Sequence, residues 1–170
     1  GSHGPPPWGT VGPIAADLIV TGKFQLATRC DHSSRKTCPV HDHDTRLLVY
    51  AQLAAVCQSR GQLAPRDRFL VLTGMAALQA GLPTLAERCR EMILQHNPHH
   101  LLHRFSSFQM AATTADFQAF VRQLDRNHPY ERAEYLLLGL GGGPVPPNLP
   151  PGESPGEYAA RLLGSSISGG

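Results

Sequence analysis

The residues best suited to chemistry form a Cys/His cluster in the N-terminal third of the chain. Cys30, Cys38, His41 and His43 lie in one polar stretch, and His32 falls between the two cysteines. Thiolates and imidazoles are preferred ligands of Zn²⁺, and four of them form a closed tetrahedral structural site. A bound metal would also order a segment that has few apolar side chains to bury. The cluster therefore predicts a structural zinc held by Cys30, Cys38, His41 and His43, with His32 as a further candidate ligand.

The same cluster allows two other interpretations. Three protein ligands and a water molecule would leave an open coordination position, which suits a small metal-dependent hydrolase or a metal-sensing protein. Without a metal, the stretch would be a polar loop whose cysteines are free or joined in a disulfide. The spacing does not decide between them, because seven residues separate Cys30 from Cys38 and zinc fingers use two to four.

The positions of glycine and proline indicate which part of the chain forms a core. Residues 14–140 hold only 10 of the 32 glycines and prolines, and the other 22 lie in the two flanks. Residues 1–13 join a Gly-Ser-His start, typical of a cleaved tag, to a proline-rich arm. We expect residues 14–140 to form a helical domain with the Cys/His-rich loop at 28–44, and residues 141–170 to form a flexible linker and a short docking segment.

Apolar residues recur at helical spacing between residues 45 and 140, and each run has its own start and stop signals. Gly61 and Gly81 are expected to end helices in the left-handed conformation, and Pro83 and Pro129 to begin them. No segment shows sustained alternation of β-branched residues. The sequence therefore predicts an all-α fold, an irregular array of short antiparallel helical hairpins.

Composition excludes some classes of partner. Lys and Arg number 15 against 13 Asp and Glu, giving a net charge of +2, far below what a nucleic-acid-binding surface requires. No apolar run is long enough to span a membrane. Cys57 and Cys89 lie in apolar helical runs, where thiols pack as small hydrophobic groups. These features favour a protein that works in the cytoplasm without membrane or nucleic acid.

A second group of histidines contains pairs spaced four residues apart, which could share a metal on a helix: His96, His99, His100 and His103. Pro98 should interrupt any helix there, and no acidic residue lies within the group. We therefore expect a solvated connector. Motifs of nucleophilic hydrolases, zinc proteases and nucleotide-binding loops are absent, which favours a binding protein without excluding an enzyme.

Residues 67–100 resemble one tetratricopeptide repeat. The matching positions carry small, turn-forming, apolar or helix-ending residues: Gly74, Gly81, Ala86, Leu94 and Pro98. Glycine at position 74 would let the two helices of the repeat approach closely. The resemblance implies a helical hairpin whose groove binds a peptide or a partner protein. The alternatives are an irregular bundle without a groove and a structural accessory domain of a larger assembly.

Residues in and beside this hairpin are the candidates for contact with the partner. They are cationic or aromatic, and comprise Arg66, Arg68, Arg90 and Phe105.

The C-terminal segment is predicted to form a short helix. Ser154 would cap it and Pro155 would occupy its first position, with Tyr158, Leu162 and Leu163 on its apolar face. Two helical turns are not stable alone in water. We therefore expect this face to dock into a groove of its own domain or of a neighbouring chain.

Overall fold

The computed structural model describes residues 43–141, 143 and 147–164, and these residues contain no β-strand. The prediction of an all-α fold is confirmed. The described helices are α1 (His43–Ser59), α2 (Leu63–Gln79), α3 (Pro83–His96), a 3₁₀ turn (Leu101–Arg104), α4 (Phe108–Ala112), α5 (Ala115–Asn127), α6 (Tyr130–Gly139) and α7 (Pro155–Leu162). None of them is long and apolar enough to cross a bilayer. The expected proline-rich arm and most of the Cys/His-rich loop lie outside the described residues.

The connections between the first three helices follow the predicted glycines and proline. Gly61 and Gly81 have φ angles of 68° and 77°, which residues with a side chain rarely adopt. After Gly61, the amide of Gln62 donates to the carbonyl of Cys57 at 2.8 Å and satisfies the end of α1. Pro83 lies in the first turn of α3. Local sequence alone therefore fixes where these helices begin and end.

Helix α1 is covered on several sides, because it packs against α2, α6 and α7. Its apolar side chains are accordingly buried around most of its circumference: Leu47, Leu48, Val49, Tyr50, Ala51, Leu53, Ala54 and Cys57. The hydroxyl of Tyr50 donates to the carbonyl of His128 at 3.0 Å. This bond satisfies the polar end of an otherwise apolar ring.

Helices α2 and α3 form an antiparallel hairpin. Arg66, near the start of α2, donates to the carbonyl of Met92, near the end of α3, at 3.2 Å. Ala86 is fully buried in this hairpin, and Leu94 packs at the edge of the core. The hairpin brings the first turns of α2 beside the last turns of α3, which positions the site described below.

Gly74 allows close packing, but the group that approaches it is an aromatic ring. A methyl group added at Gly74 would lie 2.6 Å from Cε2 of Phe108 and closer still to Cζ. Phe108 is fully buried, and its ring meets that of Phe117 edge-on with centroids 5.6 Å apart. The first residue of α4 thus occupies the space that a side chain at position 74 would need.

Helix α7 packs against α1 and carries the predicted cap. Ser154 accepts the amide of Glu157 at 3.3 Å, and the carboxylate of Glu157 accepts the amide of Ser154 at 2.8 Å. Small residues dominate the buried face of α7, which consists of Gly156, Ala159 and Ala160 together with Leu163 of the following turn. Tyr158 and Leu162 are only partly buried. A helix whose contact face is made of small side chains can approach its neighbour closely.

Candidate functional site

The predicted metal ligands fall almost entirely outside the described residues. Of the five, His43 alone is described; it is the first residue of α1 and is exposed. No group of three or more His, Cys, Asp or Glu residues within 43–141, 143 and 147–164 is arranged to hold a metal ion. The zinc site therefore stays a prediction.

The histidines at the end of α3 and after it are not arranged as a metal site; His96, the last residue of α3, forms a carboxylate–imidazole pair with a residue of α2. Nδ1 of His96 lies 2.6 Å from Oδ2 of Asp67. The other carboxylate oxygen of Asp67, Oδ1, accepts hydrogen bonds from Nε and Nη2 of Arg66, at 3.1 and 2.7 Å. Asp67 and Arg66 are each only 7 % exposed. Because a buried carboxylate must be compensated, Arg66 and His96 together stabilise its charge.

This pair forms part of the wall of a cleft of about 240 Å³ between α2, the end of α3 and α5. The polar lining consists of Asp67, Arg68, His96, Asn97 and His100, and the apolar lining of Ala64, Phe120 and Leu124. His99 and His103 do not line the cleft and are exposed. The connector therefore divides into two solvated histidines and two that belong to the cleft.

His100 is held in a defined orientation. Its Nδ1 accepts the amide of Leu102 at 3.2 Å, and its ring meets Phe120 edge-on with centroids 5.7 Å apart. Burial lowers the pKa of His100, and the Asp67 carboxylate opposes this effect. The neutral ring therefore carries its proton on Nε2, because Nδ1 is occupied as an acceptor.

The four candidate partner-binding residues have different surroundings. Arg68 lines the cleft and forms no hydrogen bond or ion pair with another described residue, whereas Arg66 is buried behind it. Arg90 donates to Glu87 and to the carbonyl of Phe105, both at 2.7 Å. Phe105 packs edge-on against Phe117. Arg90 and Phe105 thus join α3 to the segment that leads into α4.

No local motif marks Asp67 as a site residue, although the predicted helical hairpin contains a signal for it. Asp67 lies 14 residues before Gly81 and His96 lies 15 residues after it, so an antiparallel pairing of α2 and α3 places the two residues side by side. The sequence showed no acidic residue near His96 because the carboxylate comes from the other helix.

A second surface feature is an exposed apolar face on α6. Tyr135 is 80 % exposed, Leu138 58 % and Leu136 37 %. The residues Arg132, Tyr135, Leu136, Gly139 and Leu140 line a shallow depression at spacings of three and four. The opposite face of α6 is also apolar and is buried, through Tyr130, Ala133 and Leu137. A helix that is apolar on two faces is usually covered on both.

Comparison of the chain with protein-family models, with curated proteins and with solved structures found no match. The resemblance of residues 67–100 to a tetratricopeptide repeat therefore stays a prediction. Function has to be inferred from the cleft and from the exposed face of α6.

Proposed function

We propose that this protein is a helical interaction module that binds an apolar segment of another polypeptide on the exposed face of α6. One observation carries the proposal: α6 presents Tyr135, Leu136 and Leu138 to solvent while its opposite face packs in the core. Clustered exposed apolar side chains are typical of interaction sites, whereas isolated ones are ordinary.

The chemistry of this face indicates the kind of partner. Its tyrosine and leucines favour an amphipathic helix or extended segment with apolar side chains. Arg132 borders the depression and favours an acidic residue beside those side chains. Tyrosine is also common among the residues that dominate binding energy at interfaces.

The test compares three forms of the chain as bait for partners. The α6 variant combines Tyr135→Ser with Leu138→Ser, which removes apolar area without exposing the core. Met110→Ser is the matched control, because Met110 is 55 % exposed on a different helix. We expect a partner that the wild type and the control retain and the α6 variant loses, followed by direct binding of that purified partner in calorimetry.

Two further results would decide the proposal. Dimerisation of the wild type that the α6 variant loses, measured by sedimentation velocity, would identify the partner as a second copy of the chain. Equal binding of one partner by all three forms, with unchanged helicity, would refute a role for α6.

We also propose a structural zinc held by Cys30, Cys38, His41 and His43, with His32 as a further candidate ligand. The surface position of His43 at the start of α1 supports this, because its imidazole is not packed in the core. We expect one zinc per chain in native mass spectrometry, lost in Cys38→Ser and retained in the control His103→Gln. A metal-free protein after expression with added zinc would contradict the proposal.

A further inference from the structure

The cleft between α2, α3 and α5 favours an anionic ligand. Among the described residues of its lining, Asp67 is the only acidic one, and both of its carboxylate oxygens are already engaged, by Arg66 and by His96. Arg68 is the only lysine or arginine that the described part of the chain contributes to the lining, and it forms no hydrogen bond or ion pair with another described residue. The charge left available to a ligand in this cleft is therefore positive.

The polar groups of the cleft that a ligand can reach include hydrogen-bond donors in defined orientations. His100 offers Nε2–H, because its Nδ1 accepts a backbone amide. Asn97 offers its Nδ2 hydrogens, because its Oδ1 accepts the amide of His99 at 3.2 Å. His96 is engaged with Asp67, its Nδ1 lying 2.6 Å from Oδ2. A ligand that matches this set has an anionic hydrogen-bond acceptor.

The rest of the lining is apolar, and the cleft is small. Phe120, Leu124 and Ala64 provide a hydrophobic surface beside the polar groups. A volume of about 240 Å³ is below that of pockets that enclose drug-sized ligands. It suits one amino-acid residue with an apolar side chain.

We propose that this cleft binds the C-terminal residue of a peptide that ends in a free carboxylate and an apolar side chain. The carboxylate accepts hydrogen bonds from Arg68, Asn97 and His100. The side chain packs on Phe120 and Leu124. Capture of a terminal carboxylate by converging donors is a recurring mode of peptide recognition. The site lies on other helices than the α6 face, so each proposal can fail without the other.

The experiment titrates the full chain with the acetylated tetrapeptide Ac-Gly-Ser-Ala-Leu, either as the free acid or as the C-terminal amide. Binding is measured by calorimetry and by shifts of backbone amide resonances. We expect the acid to bind at least about tenfold more tightly than the amide, since a charge-assisted hydrogen bond is lost. The shifted resonances should lie in the first turns of α2, the end of α3 and α5.

Variants test which residues carry the binding. Arg68→Gln should weaken binding of the acid about tenfold and leave the amide unaffected. Arg122→Gln is the control, since Arg122 is an exposed arginine of α5 that does not line this cleft. The α6 variant should bind the acid as the wild type does.

Three results would overturn the proposal. The first is equal affinity for the acid and the amide. The second is an equal effect of Arg68→Gln and Arg122→Gln. The third is loss of acid binding in the α6 variant, which would assign the peptide to the other surface.

Discussion

Gly74→Ala tests whether the ring of Phe108 makes glycine necessary in the middle of α2. The new methyl group would lie 2.6 Å from Cε2 of Phe108, well inside ordinary carbon–carbon contact. The ring cannot move aside freely, because Phe108 is fully buried and meets Phe117 edge-on. Either α2 and α4 separate or the ring leaves its packed position.

The magnitude follows from two opposing effects. Overpacking a core by one methyl group costs about 1–3 kcal/mol in the free energy of unfolding. Replacing glycine by alanine inside a helix returns up to about 1 kcal/mol. We therefore expect Gly74→Ala to destabilise the protein by about 1–2 kcal/mol, which lowers Tm by roughly 3–8 °C in a domain of this size.

The assay is urea unfolding followed by circular dichroism, with two other glycines as controls. Gly139→Ala adds a methyl group with no atom within 4 Å and should be neutral or slightly stabilising. In Gly156→Ala the added methyl group would lie 2.7 Å from Cδ1 of Leu82. Because this atom is the end of a flexible side chain, Leu82 can move aside, and the loss of stability should be smaller than for Gly74→Ala. We therefore expect Gly139→Ala to be the most stable of the three variants, Gly156→Ala to be intermediate and Gly74→Ala to be the least stable.

A double mutant isolates the contact itself. Phe108→Leu alone should be destabilising because it leaves a cavity. Combined with Gly74→Ala, it should lose less stability than the sum of the two single changes, because the methyl group enters the vacated space. The reasoning is refuted if Gly74→Ala is as stable as Gly139→Ala, or if the two changes are additive.

Four other perturbations test the packing and the electrostatics. Asp67→Asn should cost about 3 kcal/mol or more in urea unfolding, because it leaves the guanidinium of Arg66 buried without its counter-charge; a loss below 1 kcal/mol would contradict this. Burial, together with the cations Arg68 and Arg132, lowers the pKa of His128 below 6.5, so the unfolded chain binds this proton more readily. The resulting stabilisation is complete above pH 6.5 and is lost as the pH falls through the lower pKa that His128 has in the folded protein. The free energy of unfolding should therefore fall more steeply below pH 6.5 in the wild type than in His128→Gln. Burial raises the pKa of Cys89 to about 12, so iodoacetamide at pH 8 should leave this thiol unmodified until the protein unfolds, as read by peptide mass spectrometry. Ser154→Ala should weaken the cap of α7 by about 1 kcal/mol and raise hydrogen exchange in α7 before that in α1; uniform exchange would show that α7 does not open separately.

The sequence by itself determined the class of fold and several helix boundaries. Helices end at Gly61 and Gly81 because the chain needs a positive φ there, and Pro83 begins α3 because a first-turn residue needs no amide donor. The cap residue Ser154 was also readable from the local pattern, whereas its reciprocal bond with Glu157 emerges from the structure. Each of these signals involves residues within one or two helical turns, where backbone geometry is fixed by the neighbouring residue types.

Only the tertiary structure decided which residues form the candidate site. It also decided which side chains approach Gly74 and the buried face of α7. Asp67 pairs with His96 only when the start of α2 packs beside the end of α3. Gly74 contacts Phe108 only because α4 packs against α2. In α7, the buried face is made mostly of small residues, and a methyl group added at Gly156 would lie 2.7 Å from Cδ1 of Leu82. These contacts join residues from different helices, and their distances depend on how the helices pack together. No local spacing of residue types contains that information.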